Sequence, residues 1–437
     1  MIWVWLKIIL AICLIWPRGY LLIYLIDRSK NFSFGFKFFT GWLIGLVGFT
    51  LDVFATNVFG GFELAPWVFV YSAVGQIFGF GLVIFIFERK IPWPNLKRLK
   101  PFLTKQIKSF FHWSKGQQLA LGILILIILA QLVASVWRIT NIPVYDLAAS
   151  DNSNLKAEVI YTGKTASLEE SSFFDFGDSK NSPLFDPIFK VWLAQAAGSF
   201  EDRYINLASV FYYLMLLLIF YFSLPLQVNR WLKLLGLYLL SSLPLLYFYT
   251  QVSYIDLFFS VFLFLTIASF FYYLAGAGNS FFYFSGIALA FSLWIKNDGL
   301  WIIFPFILAT TLVFWLKKKY RLKQLFLYWL WPVVTIFPWL VFRLGNRLDT
   351  FSDFNWLWSV ILAIILFKLK LSGRNFALRY LALMIGLIFL AYNSVILLTA
   401  QAYDLSALAW VNLQLVPLGI LFLIFCLRQF FGKIKAG

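Results

Sequence analysis

The chain has 437 residues, of which 62% are hydrophobic and only 13% charged, and its mean hydropathy is +0.84. A soluble domain carries about 25% charged residues, so this composition excludes an ordinary soluble enzyme. Lysine and arginine outnumber aspartate and glutamate by 36 to 19, but no basic domain with aromatic motifs indicates a nucleic-acid-binding protein.

Apolar segments recur along the chain at a length of about 20 residues, which is the span of a bilayer. They predict an all-α, polytopic membrane protein with about 13 transmembrane helices. The predicted spans are 2–26, 38–60, 64–87, 118–138, 204–226, 231–250, 253–275, 280–295, 299–316, 325–344, 354–370, 376–399 and 410–428. The first has no cleavage site of small residues, so we expect it to be retained as a helix.

Lysine and arginine predict the orientation of the spans, because they concentrate in cytoplasmic loops. The connector 88–117 is densely basic and should lie in the cytoplasm, with 91–117 forming an amphipathic linker along the inner leaflet. Counting spans alternately puts the basic stretches 317–323 and 368–374 on the same side. The protein should therefore be a multi-pass plasma-membrane protein with its N-terminus outside and its C-terminus, including the tail 429–437, in the cytoplasm.

The segment 139–203 falls outside in this arrangement and has the opposite charge. It carries ten acidic and five basic residues, a net −5 against +17 for the whole chain. Connectors of this length are usually functional or disordered. Because apolar and aromatic residues run throughout it, we expect it to fold on the membrane surface.

Three acidic residues, Asp146, Asp256 and Asp298, occupy helix ends on the predicted outer side, and Lys296 lies two residues before Asp298. A carboxylate can accept the proton of an attacking nucleophile, and a lysine can neutralise a phosphate leaving group. The alternative is that these residues have structural roles. An aspartate at a helix end often caps the helix. Asp298-Gly299 would turn the chain between two helices, and Lys296 would extend its ammonium to the membrane–water interface.

Six stretches follow one another in an order found in a known family. They are PVYDLAAS (143–150), NLKAEVIYTGK (154–164), NSPLFDPIFK (181–190), LLYFYTQVSYIDLFFSVFLF (245–264), SLWIKNDGLWIIFP (292–305) and WVNLQLVPLGILF (410–422). Over residues 118–428 the chain resembles the GT-C superfamily of membrane glycosyltransferases. It is similar to the members that use polyprenyl-phosphate sugars, among them protein mannosyltransferases and aminoarabinose transferases.

The resemblance implies roles for individual residues. Asp146 would be the catalytic base, with Asp256 as a second catalytic carboxylate, and Lys296 would contact the donor phosphate. Family members often carry an arginine before the last-helix element, where this chain has Trp410, Val411 and Asn412; Arg343 or Arg347 would then supply that charge. Asp298, Asn297 and Tyr145 would support the site or bind the acceptor.

The predicted organisation is three N-terminal helices of unknown role (1–90), the linker 91–117, and a GT-C-like bundle (118–428) that includes the outer loop. The function that the resemblance implies is inverting transfer of a sugar from a polyprenyl-phosphate donor to an extracytoplasmic lipid, glycan or protein. The alternatives are a transporter or flippase for a lipid-linked sugar and a non-catalytic scaffold. No metal site is predicted, because no spacing of the acidic residues in the loop is typical of a set of metal ligands. A divalent cation bound by these residues is the one cofactor left open.

Overall fold

The computed structural model describes the chain as a series of helices. It describes residues 2–89, 104, 114–142, 153–166, 182–225, 228–252, 254–297, 299, 306, 310–311, 322–345, 376–398 and 405–434. The helices are α1 (Ile2–Ile26), α2 (Phe34–Gly60), α3 (Pro66–Glu88), α4 (Lys115–Asn141), α5 (Leu155–Gly163), α6 (Phe185–Ala197), α7 (Asp202–Ile205), α8 (Leu207–Ser223), α9 (Arg230–Ser241), α10 (Pro244–Val252), α11 (Asp256–Leu274), α12 (Asn279–Ile295), α13 (Leu322–Gly345), α14 (Phe376–Leu398) and α15 (Leu405–Ile434). No strand occurs within these ranges.

Six helical segments within the described ranges are long and apolar enough to cross a bilayer. They are α1, α2, α3, α4, Asp202–Ser223 and α11, and each lies close to a predicted span. The chain is therefore helical in its described part, and its long apolar helices indicate a membrane-embedded protein, as predicted. The total of 13 spans stays a prediction, because 354–370 and most of 299–316 lie outside the described residues.

The segment predicted as a single span at 231–250 consists of two helices. Helices α9 and α10 meet at a bend of 53° and together are long and apolar enough for one crossing or a re-entrant loop. The break falls at Leu243-Pro244. A proline disfavours the helical conformation of the residue before it and offers no N–H to the preceding turn, so the helix ends there.

The chain forms two compact units. The first comprises Met1–Phe176, Leu184–Tyr254 and Leu427–Gly437, and the second comprises Gly177–Pro183 and Ile255–Cys426. The three N-terminal helices therefore share a unit with α5 and α6, the helices described in the predicted outer loop. Asp256 and Lys296 belong to the second unit.

Glycines bring α1 and α2 into backbone contact in the first unit. A Cβ atom on Gly19 would lie 1.9 Å from the Gly41 carbonyl oxygen and 2.3 Å from the Gly45 nitrogen. A Cβ on Gly45 would lie 2.5 Å from the Ile15 carbonyl oxygen. Only hydrogen atoms fit in these positions. Small residues allow such close approach, which favours packing between helices where no hydrophobic effect drives it.

Gly19→Ala should destabilise the first unit, because the added methyl group meets backbone atoms that have no rotamer to change. Overpacking of this kind costs about 1–3 kcal/mol. The measurement is the apparent melting temperature of the purified protein in detergent. Gly79→Ala on α3 is the matched control, since no atom lies within 4 Å of its Cβ position. Equal melting temperatures for the two variants would contradict the close α1–α2 contact.

Helix α6 is almost wholly enclosed by the first unit. Its residues from Phe185 to Ala194 are all buried, and it packs against α1, α2, α3 and α5. Trp192 at its centre donates from Nε1 to the Ala11 carbonyl oxygen at 3.2 Å and stacks on Phe69 with ring centroids 5.5 Å apart. This part of the predicted outer loop is therefore folded into the helical packing of the N-terminal helices.

A buried ion pair on α6 holds the start of α5. Lys190 Nζ lies 2.8 Å from Asp186 Oδ2, and it donates to Ser153 Oγ at 2.9 Å and to Asn154 Oδ1 at 2.8 Å. The second oxygen of Asp186 accepts a hydrogen bond from Tyr212 at 2.9 Å. The charges are paired and hydrogen-bonded together, which is the condition for burying them.

Lys156 on α5 makes the stability of the first unit depend on pH. The side chain is 1% exposed, and burial lowers the pKa of its ammonium from 10.5 to about 7. Between these values the unfolded chain binds a proton that the folded chain does not. Stability should therefore rise with pH across this window, by up to about 1.4 kcal/mol per pH unit.

We expect the apparent melting temperature to increase from about pH 7 to about pH 9, and Lys156→Met to raise it at pH 7 and flatten its dependence on pH. The control is Lys115→Met at the exposed start of α4. This variant loses the same charge, but from a lysine that is not buried. A Lys156→Met protein whose melting temperature keeps the wild-type slope with pH would refute this assignment.

In the second unit, α11 and α12 form an antiparallel hairpin. The turn between them contains Gly276 and Gly278 at φ +87° and +121°, values that residues with a Cβ rarely adopt. Along the hairpin, Ser285 Oγ donates to the Thr266 carbonyl oxygen at 2.7 Å. The start of α11 therefore lies beside the end of α12.

Helix α13 runs parallel to α12, and α15 runs parallel to α11. Ser285 meets Tyr328 at 2.9 Å, and further along both helices Trp294 meets Trp339 with ring centroids 6.0 Å apart. Near the other end of α11, Phe271 packs against Phe425 of α15 at 4.9 Å. The start of α11 and the ends of α12 and α13 consequently share one end of the unit.

Candidate functional site

Asp256 is the centre of a polar cluster at this end of the second unit. It is the first residue of α11 and is 3% exposed. Its Oδ1 atom accepts a hydrogen bond from Lys296 Nζ at 2.7 Å and another from Gln414 Nε2 at 2.9 Å. The position at the first turn of a helix also suits a carboxylate, because the helix dipole favours negative charge there.

Lys296 reaches Asp256 because α12 ends at this residue. Its backbone is extended (φ −152°, ψ 145°), and its carbonyl oxygen accepts a hydrogen bond from the Gly299 N–H at 3.0 Å. That bond closes a four-residue turn. A Cβ on Gly299 would lie 2.8 Å from the Ser292 carbonyl oxygen, so the turn needs glycine to fold back on the helix. Lys296 thus takes part in both a turn and an ion pair, and Asn297 lies in the turn, half-buried.

Gln414 belongs to α15 and is fully buried. It lies in the stretch WVNLQLVPLGILF, but no separate role was predicted for it. An amide inside an otherwise apolar helix is the signal that could have identified it, since a buried polar group requires a partner. Its partner is the Asp256 carboxylate, which lies far away in the sequence.

Arg343 lies towards the same end of the unit. It is 5% exposed and lies one turn after Trp339. Trp339 packs against Trp294, which precedes Lys296 by two residues.

Of the predicted site residues, the structure joins Asp256 and Lys296 directly and places Arg343 at the same end. Four others, Asp146, Tyr145, Asp298 and Arg347, lie outside the described residues.

The cluster combines one positive and one negative charge with a neutral amide. The Asp256 side chain is 5% exposed, whereas that of Lys296 is 25% exposed, so Lys296 is the more accessible of the two charged side chains. In the described part of the chain no group of three or more His, Cys, Asp or Glu side chains could hold a metal ion. The arrangement is suited to contacting an anion at the end of apolar helices.

Comparison with protein-family models, with curated proteins and with solved structures gave no match to this chain. The site must therefore be interpreted from its own chemistry.

Asp256 and Lys296 should be energetically coupled. We expect a double-mutant cycle with Asp256→Asn and Lys296→Met to give a coupling free energy of about 0.5–3 kcal/mol, because the variants share one buried contact. The measurement is resistance to denaturation of the single and double variants in detergent. The matched control is the Glu201–Arg203 pair, whose side chains are 37% and 44% exposed and should couple weakly. Additive effects for Asp256 and Lys296 would contradict the ion pair.

Proposed function

We propose that the protein is an inverting glycosyltransferase that moves a sugar from a polyprenyl-phosphate-linked donor to an extracytoplasmic acceptor. The observation that carries this proposal is the partly exposed Lys296 side chain, whose ammonium is held by a buried carboxylate where apolar helices of the second unit end. A lipid-borne phosphate needs a cation at such a boundary between lipid and water. The predicted orientation, with this end outside, belongs to the proposal.

The proposed reaction is a single displacement. An acceptor oxygen attacks the anomeric carbon from the face opposite the phosphate, and a new carbon–oxygen bond forms as the bond to the phosphate oxygen breaks. The electron pair of the broken bond stays on the polyprenyl phosphate, and the acceptor proton passes to a carboxylate base. Attack from the opposite face inverts the anomeric centre.

Lys296 would stabilise the negative charge that develops on the leaving phosphate. An ammonium has three N–H donors, so the contact with Asp256 is compatible with a further bond to a phosphate oxygen. Arg343, at the same end of the unit, would be a second phosphate ligand. The guanidinium plane suits two phosphate oxygens at once.

Asp256 is better placed to position Lys296 than to act as the base. Its carboxylate is buried and Oδ1 already accepts two hydrogen bonds, so an acceptor hydroxyl has poor access to it. The base in this proposal is Asp146, the residue that the family resemblance assigns. Asp256 remains the candidate to which the role would pass if Asp146 is dispensable.

Transport of a lipid-linked sugar is the second candidate function. The observation that favours it is a pair of ionisable residues, Arg18 and Asp52, inside the apolar helices α1 and α2. Charged residues within transmembrane helices often mark a substrate or ion pathway. Transfer and transport differ in one measurable respect, since only a transferase breaks the sugar–phosphate bond.

The test begins with mass spectrometry of surface glycans and lipid-linked sugars in cells with and without the gene. Purified protein is then given a panel of synthetic polyprenyl-phosphate hexoses and pentoses with a cell-envelope extract as acceptor, and release of polyprenyl phosphate is followed. Lys296→Ala should raise the KM for the donor because a phosphate ligand is lost. Lys296→Arg should lie between Ala and wild type, since a planar fork replaces a point charge.

Asp146→Asn should lower kcat by about 10²- to 10⁴-fold, because the amide keeps the shape but cannot accept the proton. Asp151→Asn, five residues along the same segment, is the matched control and should keep most of the activity. Full activity of Asp146→Asn would remove it as the base. Unchanged glycans and no consumption of any donor by the wild type would refute the proposed function.

A further inference from the structure

Helices α4 and α9 of the first unit run parallel and begin side by side. A Cβ atom on Gly116, at the start of α4, would lie 3.8 Å from the Trp231 ring at the start of α9. Further along both helices, Gln131 Nε2 donates to the Ser241 carbonyl oxygen at 3.0 Å. The first turns of the two helices therefore share one end of the unit.

The charges on α4 and α9 are all positive, since neither helix contains an aspartate or a glutamate. Lys115 is the first residue of α4 and Arg230 is the first of α9, so the two cations flank the contact between the helices. Lys233, one turn further along α9, donates from Nζ to the Leu224 carbonyl oxygen at 3.0 Å. Its ammonium also lies 5.9 Å from the Tyr221 ring centroid, and neither partner is a carboxylate.

Side chains of the protein cap the backbone at both helix starts. In α4 the Ser114 side chain accepts from the Gln117 N–H, and the Gln117 side chain accepts from the Ser114 N–H. In α9 the Asn229 side chain accepts from the Trp231 N–H at 3.0 Å. A ligand at this end would therefore be recognised by the basic side chains and not by the helix ends.

An exposed apolar surface runs along both helices from the level of these cations. On α9 it consists of Trp231, Leu235 and Tyr238, which follow one another at helical spacing and are all exposed. On α4 it consists of Leu119 and Ile123, also exposed, which lie three and seven residues after the glycine that contacts Trp231 and so share its face. At about 1.5 Å per residue, both stripes extend about 10 Å from the charges.

We propose that this surface binds an anionic phospholipid, with the phosphate at Lys115 and Arg230 and an acyl chain along the apolar stripes of α4 and α9. Cations at the head of an apolar surface match a lipid phosphate, and the arginine fork suits phosphate oxygens. The charge selects among lipids: a zwitterionic headgroup would bring its own cation towards three basic side chains on helices that carry no acidic one.

The predicted orientation favours the same ligand. Counting spans puts the start of α4 in the cytoplasm, and α9 begins at the same end of the unit. The cytoplasmic leaflet holds anionic lipids, and each lysine or arginine near its surface strengthens binding to them. A phosphate between the cations of α4 and α9 would hold the two helices together, so the lipid should stabilise the folded protein. The site lies in the first unit and does not depend on the proposed sugar transfer.

The test measures lipid binding to full-length protein purified in a neutral detergent, by native mass spectrometry. Dioleoyl phosphatidylglycerol is the anionic probe, dioleoyl phosphatidylcholine has the same chains without net charge, and glycerophosphoglycerol is the anionic headgroup without chains. We expect phosphatidylglycerol to bind more tightly than phosphatidylcholine, to raise the apparent melting temperature, and to lose affinity as salt is added. Glycerophosphoglycerol should not displace it, because it cannot cover the apolar stripes.

The double variant Lys115→Gln, Arg230→Gln should bind phosphatidylglycerol about 10- to 30-fold more weakly, because two cations near the phosphate are lost. The matched control is Lys30→Gln, which removes an exposed positive charge just beyond α1 and should leave binding unchanged. Lys30 lies at the same end of the unit, where Phe39 near the start of α2 stacks on Phe222 near the end of α8 with ring centroids 5.1 Å apart.

Four results would each overturn the proposal: equal affinity for the two lipids, wild-type affinity in the double variant, an equal loss in Lys30→Gln, or displacement by glycerophosphoglycerol. An equal loss in Lys30→Gln would show a general attraction of this end to anionic membranes, and displacement would indicate a soluble phosphodiester as the ligand. If the double variant does not fold, Lys115→Gln alone decides the question, because its side chain is exposed. It should lose about fivefold in affinity, and unchanged affinity would again overturn the proposal.

Discussion

The cost of burying a charge among apolar helices governs where the ionisable side chains of this protein lie. Asp256 shows the rule most simply: a carboxylate that is almost inaccessible to solvent is tied to an ammonium and an amide from two other helices. The same rule explains the cluster around Asp186 and Lys190, in which an ion pair within α6 also bonds to Ser153 and Asn154 at the start of α5 and to Tyr212 of α8. Each cluster fixes a register between helices that apolar packing alone would leave adjustable.

The two units reach close packing by different means. In the first, Gly19, Gly41 and Gly45 remove side chains so that two backbones touch. In the second, large rings fill the space instead, as where Phe270 meets Tyr328 and Tyr380. Lipid chains are as apolar as the side chains, so both means work through contact and shape. Polar clusters then add the specificity that contact alone lacks.

The positions of the helices could be predicted from the sequence far better than the contacts between them. Hydropathy located the described spans closely because a bilayer sets their length. It missed the bend at Pro244 because the composition on both sides is equally apolar. The sequence indicated Lys296 and Asp256 separately, since both interrupt or flank apolar runs. It could not pair them, nor give Gln414 its role, because those contacts depend on the packing of α11, α12 and α15.

The enclosure of α6 has a consequence for how the protein is made. Helices α1, α2 and α3 emerge from the ribosome before α6 and form the surfaces against which it packs. A chain lacking them would expose Trp192 and the apolar face around it, together with the polar cluster that holds α5. We therefore expect the N-terminal helices to serve as the surface on which the segment after α4 folds, and their removal to cause misfolding of that segment during synthesis.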